Sequence, residues 1–270
     1  MLRKTLFFLF FITCLNVYPA EPLQLCGCTH GGVFHNFLIV LGFLKECEEK
    51  KAPSFIVDFE DRGFFYDENR GPNWWEYYFE PICKKSFSFG TKRSYNKIET
   101  EKLFGGLVGN AEFFMSRKEA GELIEKYIKL KPAIQTEIDA FEKRHFKNKY
   151  IIGIHYRGTD KVTVVEGCSS PEAKPVTYKA ISDQIDKVVD KRRKCKIFVA
   201  TDEQGFLEYI KEKYGKMVVY QDATRSTNGN PIHYDPIHGK AKNNYLVGKE
   251  AIIDCLLLSR CSIILKTSSN

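Results

Sequence analysis

The sequence predicts an α/β protein built from two units, each containing a parallel β-sheet. Short apolar strand patterns alternate with helical patterns through the second half of the chain, which is typical of a doubly wound sheet. The first half opens with a strand–glycine turn–helix–strand unit of the same kind. A length of 270 residues suits two domains, and 43% hydrophobic with 28% charged residues excludes collagen, coiled-coil arrays and wholesale disorder.

The first 20 residues resemble a secretory signal peptide. Arg3 and Lys4 precede an apolar run over residues 6–17, and Pro19-Ala20 follows it. The run is shorter than a bilayer span, which needs about 20 apolar residues, although an uncleaved signal anchor is an open alternative. We therefore expect an exported protein, with membrane attachment only through residues 1–20.

The first unit is predicted to span residues 21–148. Strand patterns at 23–26 and 55–58 flank a Gly31-Gly32 turn and an apolar helix over 33–47. Residues 62–97 are rich in aromatic side chains. We interpret the centre of this segment, residues 73–79, as core, with stacking on a sugar ring as the alternative.

Two helices complete the first unit. Ser116-x-x-Glu119 is a capping box that predicts a helix start, and Pro132 suits the first position of the next helix. The charged stretch 142–149 then predicts the boundary between the two units.

The second unit is predicted to span residues 149–270. Its strand patterns cover residues 150–155, 196–200, 217–220 and 262–266. Helices between them are predicted from the apolar stripe Ile181, Ile185, Val188 and Val189, from Phe206, Leu207 and Ile210 ending at Gly215, and over residues 247–260.

Cysteine usage permits disulfide bonds without assigning their pairs. Eight of the nine cysteines follow residue 20, and an even number in an exported chain is typical of disulfides. Cys255 and Cys261 lie in apolar sequence, where buried free thiols are equally consistent. The segment 26–30, Cys-Gly-Cys-Thr-His, lacks a second ligand pair at zinc-finger spacing, so no metal site is predicted.

Charge does not indicate a nucleic-acid partner. The net charge of +7 is a mild excess that suits a small anionic ligand as well as a nucleic acid. The basic run Lys191-Arg192-Arg193-Lys194 is short, and we interpret it as solvated surface.

Polar residues are concentrated at the carboxyl ends of the predicted strands of the second unit, where doubly wound sheets bind ligands. His155, Arg157 and Lys161 place three donors after its first strand. An arginine fork matches two phosphate oxygens and a lysine adds a mobile charge, so these residues predict a phosphate site. An ordinary surface salt bridge is the alternative.

Four further residues belong to the same predicted site. Asp160 is placed to hold Arg157 in position, and Thr267, Ser268 and Ser269 follow the last strand, where they would offer hydroxyl and backbone N–H groups to the same phosphates.

Asp254 lies on an apolar face of the last predicted helix, together with Ala251 and Leu258. A carboxylate in such surroundings is costly unless it is paired. Guanine offers two adjacent N–H donors that would pair with it, so a guanine nucleotide is one candidate partner. A structural carboxylate bonded to backbone is the alternative.

Residues 152–161, Ile-Gly-Ile-His-Tyr-Arg-Gly-Thr-Asp-Lys, resemble the first donor-binding motif of a fucosyltransferase superfamily. It includes the α1,6-fucosyltransferases, the nodulation enzyme NodZ and the protein O-fucosyltransferases. Residues 199–203, Asp254 with Leu258-Ser259, and residues 267–269 resemble its later motifs in order and spacing, so the resemblance covers about residues 150–269. It implies a GT-B fold of two Rossmann-like domains.

In such a fold the first domain faces the acceptor and the C-terminal domain binds GDP-fucose as donor substrate, without a metal or other cofactor. The resemblance implies an inverting enzyme that transfers fucose to a hydroxyl of a glycan or a protein. By position, the implied roles are diphosphate contacts for His155 and Arg157, loop support for Asp160, leaving-phosphate stabilisation for Lys161, donor contact for Asp202, guanine binding for Asp254, and phosphate proximity for Ser268 and Ser269.

The inverting reaction needs a base that takes the proton of the acceptor hydroxyl, a contribution worth about 10²–10⁴ in rate. The family's carboxylate lies just beyond the motif lysine. With one residue of slippage it corresponds to Glu166, and Asp160, Glu60 and Glu172 are competitors. In a eukaryotic cell the resemblance implies the lumen of the ER or Golgi, or secretion, whereas in a bacterium residues 1–20 would not be an export signal.

The chain departs from the family pattern in two places. Gly158 stands where the α1,6 enzymes carry a second arginine, so α1,6 linkage is not implied. The chain also ends at Asn270, directly after the last motif, which predicts a compact version or a fragment. These departures motivate an alternative, a catalytically inactive protein that binds a nucleotide sugar or a partner. A metal-dependent transferase that uses the acids of residues 58–61 is a further alternative.

Overall fold

A computed structural model describes residues 22–27, 31–60, 63–83, 91–94, 115–159, 175–189, 194–230, 232 and 244–267 of the chain. These residues form a three-stranded sheet in the first half and a four-stranded sheet in the second half. Every strand pair in both sheets is parallel. The prediction of an α/β protein with two parallel sheets is therefore confirmed.

The first sheet contains β1 (Leu23–Cys26), β2 (Phe55–Asp58) and β3 (Thr91–Arg93), in the order β2-β1-β3. Helix α1 (Val33–Glu49) connects β1 to β2, because parallel neighbours need a crossover connection. The Asn36 side chain donates to the carbonyl oxygens of Gly31 at 3.1 Å and Gly32 at 3.3 Å. The glycine pair thus forms a turn whose two carbonyl oxygens are bonded by a side chain of α1.

The described residues after β2 include the helices α2 (Trp75–Tyr78), α3 (Arg117–Tyr127) and α4 (Pro132–His145). The predicted capping box is present at α3, where Glu119 N donates to Ser116 Oγ at 3.2 Å and Ser116 N donates to Glu119 Oε2 at 2.8 Å. Pro132 occupies the first turn of α4 as predicted.

The aromatic centre of the first half is core. Trp74 and Tyr78 are 0% exposed and Trp75 is 1% exposed, so none presents a face to a sugar. Trp74 stacks on Phe59 with ring centroids 4.7 Å apart. The sugar-stacking alternative is wrong for these three rings.

The second sheet contains β4 (Tyr150–Tyr156), β5 (Cys195–Thr201), β6 (Val218–Val219) and β7 (Ile263–Lys266), in the order β6-β5-β4-β7. Its helices are α5 (Tyr178–Val189), α6 (Gln204–Tyr214), a 3₁₀ turn (Gly215–Met217) and α7 (Asn244–Ser259). This alternation places α-helices on both faces of the sheet, as predicted.

Alternate residues of the central strands enter two different hydrophobic clusters. Ile152 and Ile154 pack in a smaller cluster with α5 and α6. Ile151 and Phe198 point to the opposite face, into a larger cluster with α4, α7 and the first sheet. The larger cluster thus crosses the predicted boundary at residue 148, whose position stays a prediction.

Free thiols are present at six described cysteines, at positions 26, 47, 83, 195, 255 and 261. Burial raises the pKa of Cys47 and of Cys261 to about 12. Cys255 is exposed, contrary to the expectation from its apolar sequence. Cys28 and Cys168 lie outside the described residues, and disulfide pairing stays a prediction.

No helix in the described ranges is long and apolar enough to cross a membrane. The predicted signal segment, residues 1–20, lies outside those ranges, as do Asp160, Lys161, Glu166, Glu172, Ser268 and Ser269.

Candidate functional site

Three strand ends meet at the carboxyl edge of the second sheet. Arg157 follows β4, Asp202 follows β5 and Thr267 follows β7. Because β4 pairs with both neighbours, the parallel register brings these three residues to one edge. The structure therefore assembles three of the predicted site residues.

Asp202 organises the loop that leaves β4. One carboxylate oxygen, Oδ1, accepts the Gly158 backbone N–H at 3.0 Å, and Oδ2 accepts the Thr159 hydroxyl at 2.5 Å. The same Oδ2 lies 3.7 Å from Arg157 Nε. This carboxylate thus fixes the backbone and the guanidinium together. Thr159, which is 1% exposed, was missed from the sequence, where a hydroxyl after glycine gave little signal.

Thr267 links β7 to the same loop. Its backbone N–H donates to the His155 carbonyl at 3.1 Å, and its hydroxyl oxygen accepts the backbone N–H of Arg157 at 3.4 Å. The Thr267 hydroxyl therefore already bonds to the loop after β4. The predicted phosphate contact would have to use the same hydroxyl group.

His155 lies near the end of β4 and is half-buried. Burial lowers the pKa of its imidazole, and the positive charges of Arg157 and Lys266 lower it further, against an opposing effect of Asp202. These effects favour the uncharged imidazole. It offers one donor to a ligand, while the positive charge described at this edge belongs to Arg157 and Lys266.

A carboxylate covers the backbone of Gly158. An ideal Cβ at this glycine would lie 1.9 Å from Glu203 Oε2, so a side chain here would displace Glu203. The other oxygen, Glu203 Oε1, accepts the Tyr178 hydroxyl at 2.5 Å. Burial and the bond to Glu203 raise the pKa of Tyr178. The sequence motif includes Glu203 but does not predict its hydrogen bond to Tyr178, because Tyr178 belongs to a separate helix, α5.

Asp254 lies on α7, and its Oδ1 atom is inaccessible to solvent without a hydrogen-bond partner. Burial raises its pKa to about 7, even though a bond with Gln221 and the charge of Arg225 both favour the ionised form. Such a carboxylate is a poorly satisfied acceptor. In the part of the chain that the structure describes, no backbone group bonds to Oδ1, which gives the structural alternative no support.

Buried polar residues missed from the sequence connect Asp254 to the strand ends. Glu250 accepts the Thr224 N–H at 2.8 Å, and Arg225 donates to the Gln221 carbonyl at 2.8 Å. The next residue, Ser226, donates its N–H to the Asp202 carbonyl at 2.8 Å. The segment 221–226 therefore runs from Asp254 to Asp202.

The acids after β2 have local roles. Asp58 accepts the Glu60 N–H at 3.0 Å and the Gln24 side-chain amide at 3.3 Å, and Glu60 lies 3.6 Å from Lys92 Nζ. The part of the chain that the structure describes contains no group of three or more His, Cys, Asp or Glu side chains placed to hold a metal ion. Asp61, the third acid of the metal-dependent alternative, lies outside the described residues, so that alternative stays untested.

Comparison with known proteins identifies the family. The sequence model of the family described as Nodulation protein Z (NodZ) matches residues 111–269. This range includes Arg157, Asp202, Asp254 and Thr267. The chain belongs to the NodZ family. Nodulation protein Z of Bradyrhizobium diazoefficiens is 23% identical over 151 residues, which are 55% of this chain and 39% of that protein. The match thus spans about two fifths of the curated relative.

Solved structures of NodZ and of a related protein share the fold. NodZ α-1,6-fucosyltransferase co-crystallised with GDP has a TM-score of 0.57 at 14% identity, over 92% of this chain and 88% of that one. POFUT1 in complex with GDP has a TM-score of 0.51 at 11% identity, over 92% and 91%. The predicted GT-B fold and membership of the fucosyltransferase superfamily are confirmed.

Proposed function

We propose that this NodZ-family protein is an inverting glycosyltransferase that moves fucose from GDP-fucose to a hydroxyl of a glycan or a protein. The observation that carries the proposal is the convergence of Arg157, Asp202 and Thr267 at one sheet edge. Doubly wound sheets bind nucleotides at that edge. GDP in the NodZ co-crystal and GDP-fucose in another NodZ crystal support this choice of donor.

The loop after β4 would supply the positive charge that binds the diphosphate. The guanidinium of Arg157, held by Asp202, would bind two phosphate oxygens at once, and Lys161 would neutralise charge on the leaving phosphate. Neutral His155 would donate one hydrogen bond to a phosphate oxygen. Asp160 would support the loop, and Ser268 and Ser269 would add donors.

Asp254 would bind the guanine. The base carries two adjacent N–H donors, which the two carboxylate oxygens would accept together once Oδ1, inaccessible in the free protein, is exposed. A ligand of this kind satisfies the acceptor that the protein leaves without a partner.

The proposed reaction is a single displacement at the anomeric carbon of fucose. The acceptor oxygen bonds to the anomeric carbon while the bond from that carbon to the diphosphate breaks, which inverts the configuration. The acceptor proton passes to a carboxylate, for which we propose Glu166, with Asp160, Glu60 and Glu172 as alternatives. Arg157 and Lys161 supply the positive charge that a metal ion supplies in other transferases, so we propose a metal-independent reaction without a cofactor.

Arg157→Ala tests the role of the guanidinium. Removing a group that stabilises charge developing in the transition state costs about 10²–10³ in kcat. We expect a loss of that size in GDP release from GDP-fucose with acceptor, at nearly unchanged melting temperature. Arg117→Ala, on the exposed start of α3, is the matched control and should keep full activity. Retained turnover in Arg157→Ala would contradict the proposal.

A catalytically inactive nucleotide-sugar-binding protein is the second candidate. It is favoured by the Glu203 carboxylate over Gly158, which puts negative charge beside the proposed diphosphate site. Calorimetry should then detect GDP binding while a panel of glycan and peptide acceptors shows no transfer. Transfer to any acceptor decides against it.

We further propose that the protein acts in the lumen of the secretory pathway or is secreted. The basic start and short apolar run of residues 1–20 support this location.

A further inference from the structure

A second charged surface lies at the opposite edge of the four-stranded sheet, where its strands begin. Lys147, Lys149, Lys194 and Lys196, which we call the amino-edge lysines, line a concavity of about 360 Å³ together with Asn148 and Cys195. None of the described residues that line it is acidic. The concavity is thus a cationic site separate from the carboxyl edge.

Strand pairing holds the amino-edge lysines together. Lys149 and Lys194 directly precede β4 and β5, and Tyr150 N donates to the Lys194 carbonyl at 3.2 Å. Lys196 is the register partner of Ile151. Because neighbouring strands lie about 4.8 Å apart, the backbone keeps these positive residues close to one another.

Among the described residues, no carboxylate compensates their charge. Lys149 Nζ donates to the His145 carbonyl at 3.2 Å, and Lys196 Nζ donates to the Lys216 carbonyl. Carbonyl oxygens accept hydrogen bonds but carry no net charge. Other lysines meet carboxylates, as Lys126 does with Glu48 at 2.6 Å. Across the described ranges no carboxylate lies within ion-pair distance of the four amino-edge lysines.

The pKa of His145 reflects the positive charge of its surroundings. Burial lowers the pKa of its imidazole, and the charges of Arg144, Lys149 and Lys196 lower it further. The edge therefore disfavours additional positive charge and favours an anion.

We propose that the amino-edge lysines bind the anionic headgroup surface of a phospholipid membrane. Lysine ammonium groups are point charges on flexible stems, which suit phosphates at variable positions better than one fixed bidentate partner. Each lysine or arginine close to an anionic membrane surface strengthens binding by about a factor of five.

Single-stranded nucleic acid suits the concavity less well. Surfaces that bind single strands add aromatic rings on which bases stack, and no ring belongs to the described residues that line this concavity. Membrane contact here would leave the carboxyl edge of the same sheet turned away from the bilayer. The proposal does not depend on the donor assigned above.

Vesicle binding by the full chain tests this proposal. The probe is phosphatidylcholine vesicles with or without 30 mol% phosphatidylserine, roughly the anionic content at which surface potential attracts basic clusters. We expect co-sedimentation to increase with the anionic lipid and to fall in high salt. Lys149→Gln with Lys194→Gln should weaken the partition constant by about 30-fold, since each lysine near an anionic membrane contributes about a factor of five.

The matched control is Lys118→Gln with Lys187→Gln, which removes the same charge from exposed positions on α3 and α5. All variants share residues 1–20, so any binding through that apolar segment cancels in the comparison. Equal binding by the two double variants would overturn the proposal. Patch-dependent binding to a DNA duplex without binding to the anionic vesicles would overturn it too, in favour of a nucleic-acid partner.

Discussion

At the scale of single residues, Asp254 has the most consequential environment. Its pKa of about 7 means that the carboxyl group is half protonated near neutral pH. Folding disfavours its charged form, so the ionised carboxylate destabilises the free protein as pH rises between 4 and 7. A ligand with two N–H donors reverses this preference because it bonds the charged form.

GDP affinity should therefore depend on pH through Asp254. If the ionised form binds, the affinity should rise about tenfold between pH 6 and pH 8 and then level off, with release of a proton on binding. Isothermal titration calorimetry in buffers of different ionisation enthalpy measures both effects. Asp254→Asn should bind weakly at every pH. An affinity that is flat over this range in the wild type would exclude Asp254 as the guanine acceptor.

Gly158 is the second residue that makes a specific prediction. Its Cβ would lie 1.9 Å from Glu203 Oε2, so Gly158→Ala forces Glu203 away and breaks its bond to Tyr178. Overpacking of this kind costs about 1–3 kcal/mol, measurable by urea unfolding. Combining Gly158→Ala with Glu203→Ala should recover only part of that loss, because Tyr156 Cε1 still lies 2.7 Å from the added Cβ. Additive losses would show that the two residues do not interact.

At the scale of elements, local sequence signals placed the helices and strands well. The strand predicted at 150–155 is observed as β4, and the capping box at Ser116 begins α3 as expected. The least accurate element is the strand predicted at 217–220, which reduces to Val218–Val219. It is an edge strand that pairs on one side only, with β5, so its length depends on a neighbour rather than on its own residues.

Helix α7 shows what sequence patterns leave out. Its residue Gly248 lies against Tyr78, so that an added Cβ would be 2.2 Å from the Tyr78 hydroxyl oxygen. This hydroxyl donates to the Tyr245 carbonyl at 3.1 Å, and the two tyrosine rings stack with centroids 5.5 Å apart. The two tyrosines are far apart in sequence, and no local periodicity indicates their contact.

Gly248→Ala should separate α7 from Tyr78 and destabilise the protein by about 1–3 kcal/mol. Gly121→Ala is the matched control, because nothing lies within 4 Å of its Cβ position on helix α3. Alanine there should stabilise the protein by about 0.5–1 kcal/mol. The comparison is made by thermal unfolding, and changes of the same sign in both variants would contradict this packing account.

At the scale of the whole molecule, the candidate site was predictable only in part. Strand ends identified Arg157, Asp202 and Thr267, since parallel strands bring their carboxyl ends together. The pairing of Tyr178 with Glu203 and the burial of Arg225 were not predictable. They depend on how α5 and the segment 221–226 pack on the sheet, which no spacing along the chain encodes.

The shared core predicts how the chain unfolds. Apolar residues of both sheets enter the larger cluster, Leu25 from β1 and Ile151 from β4 among them. Urea unfolding should therefore give one transition, with tryptophan fluorescence from Trp74 and Trp75 and far-UV circular dichroism coincident. Two resolved midpoints would mean that the sheets unfold independently.

The same continuous cluster restricts how the protein can move. Swinging one sheet against the other would expose Ile252, Ile253 and Leu257 of α7 to water, at a cost of roughly 1.5–3 kcal/mol for each side chain fully exposed. Rigid-body opening is therefore the expensive route. Substrate entry and product escape should depend on rearrangements of the segments around the strand ends, with the joined sheets serving as a stiff frame.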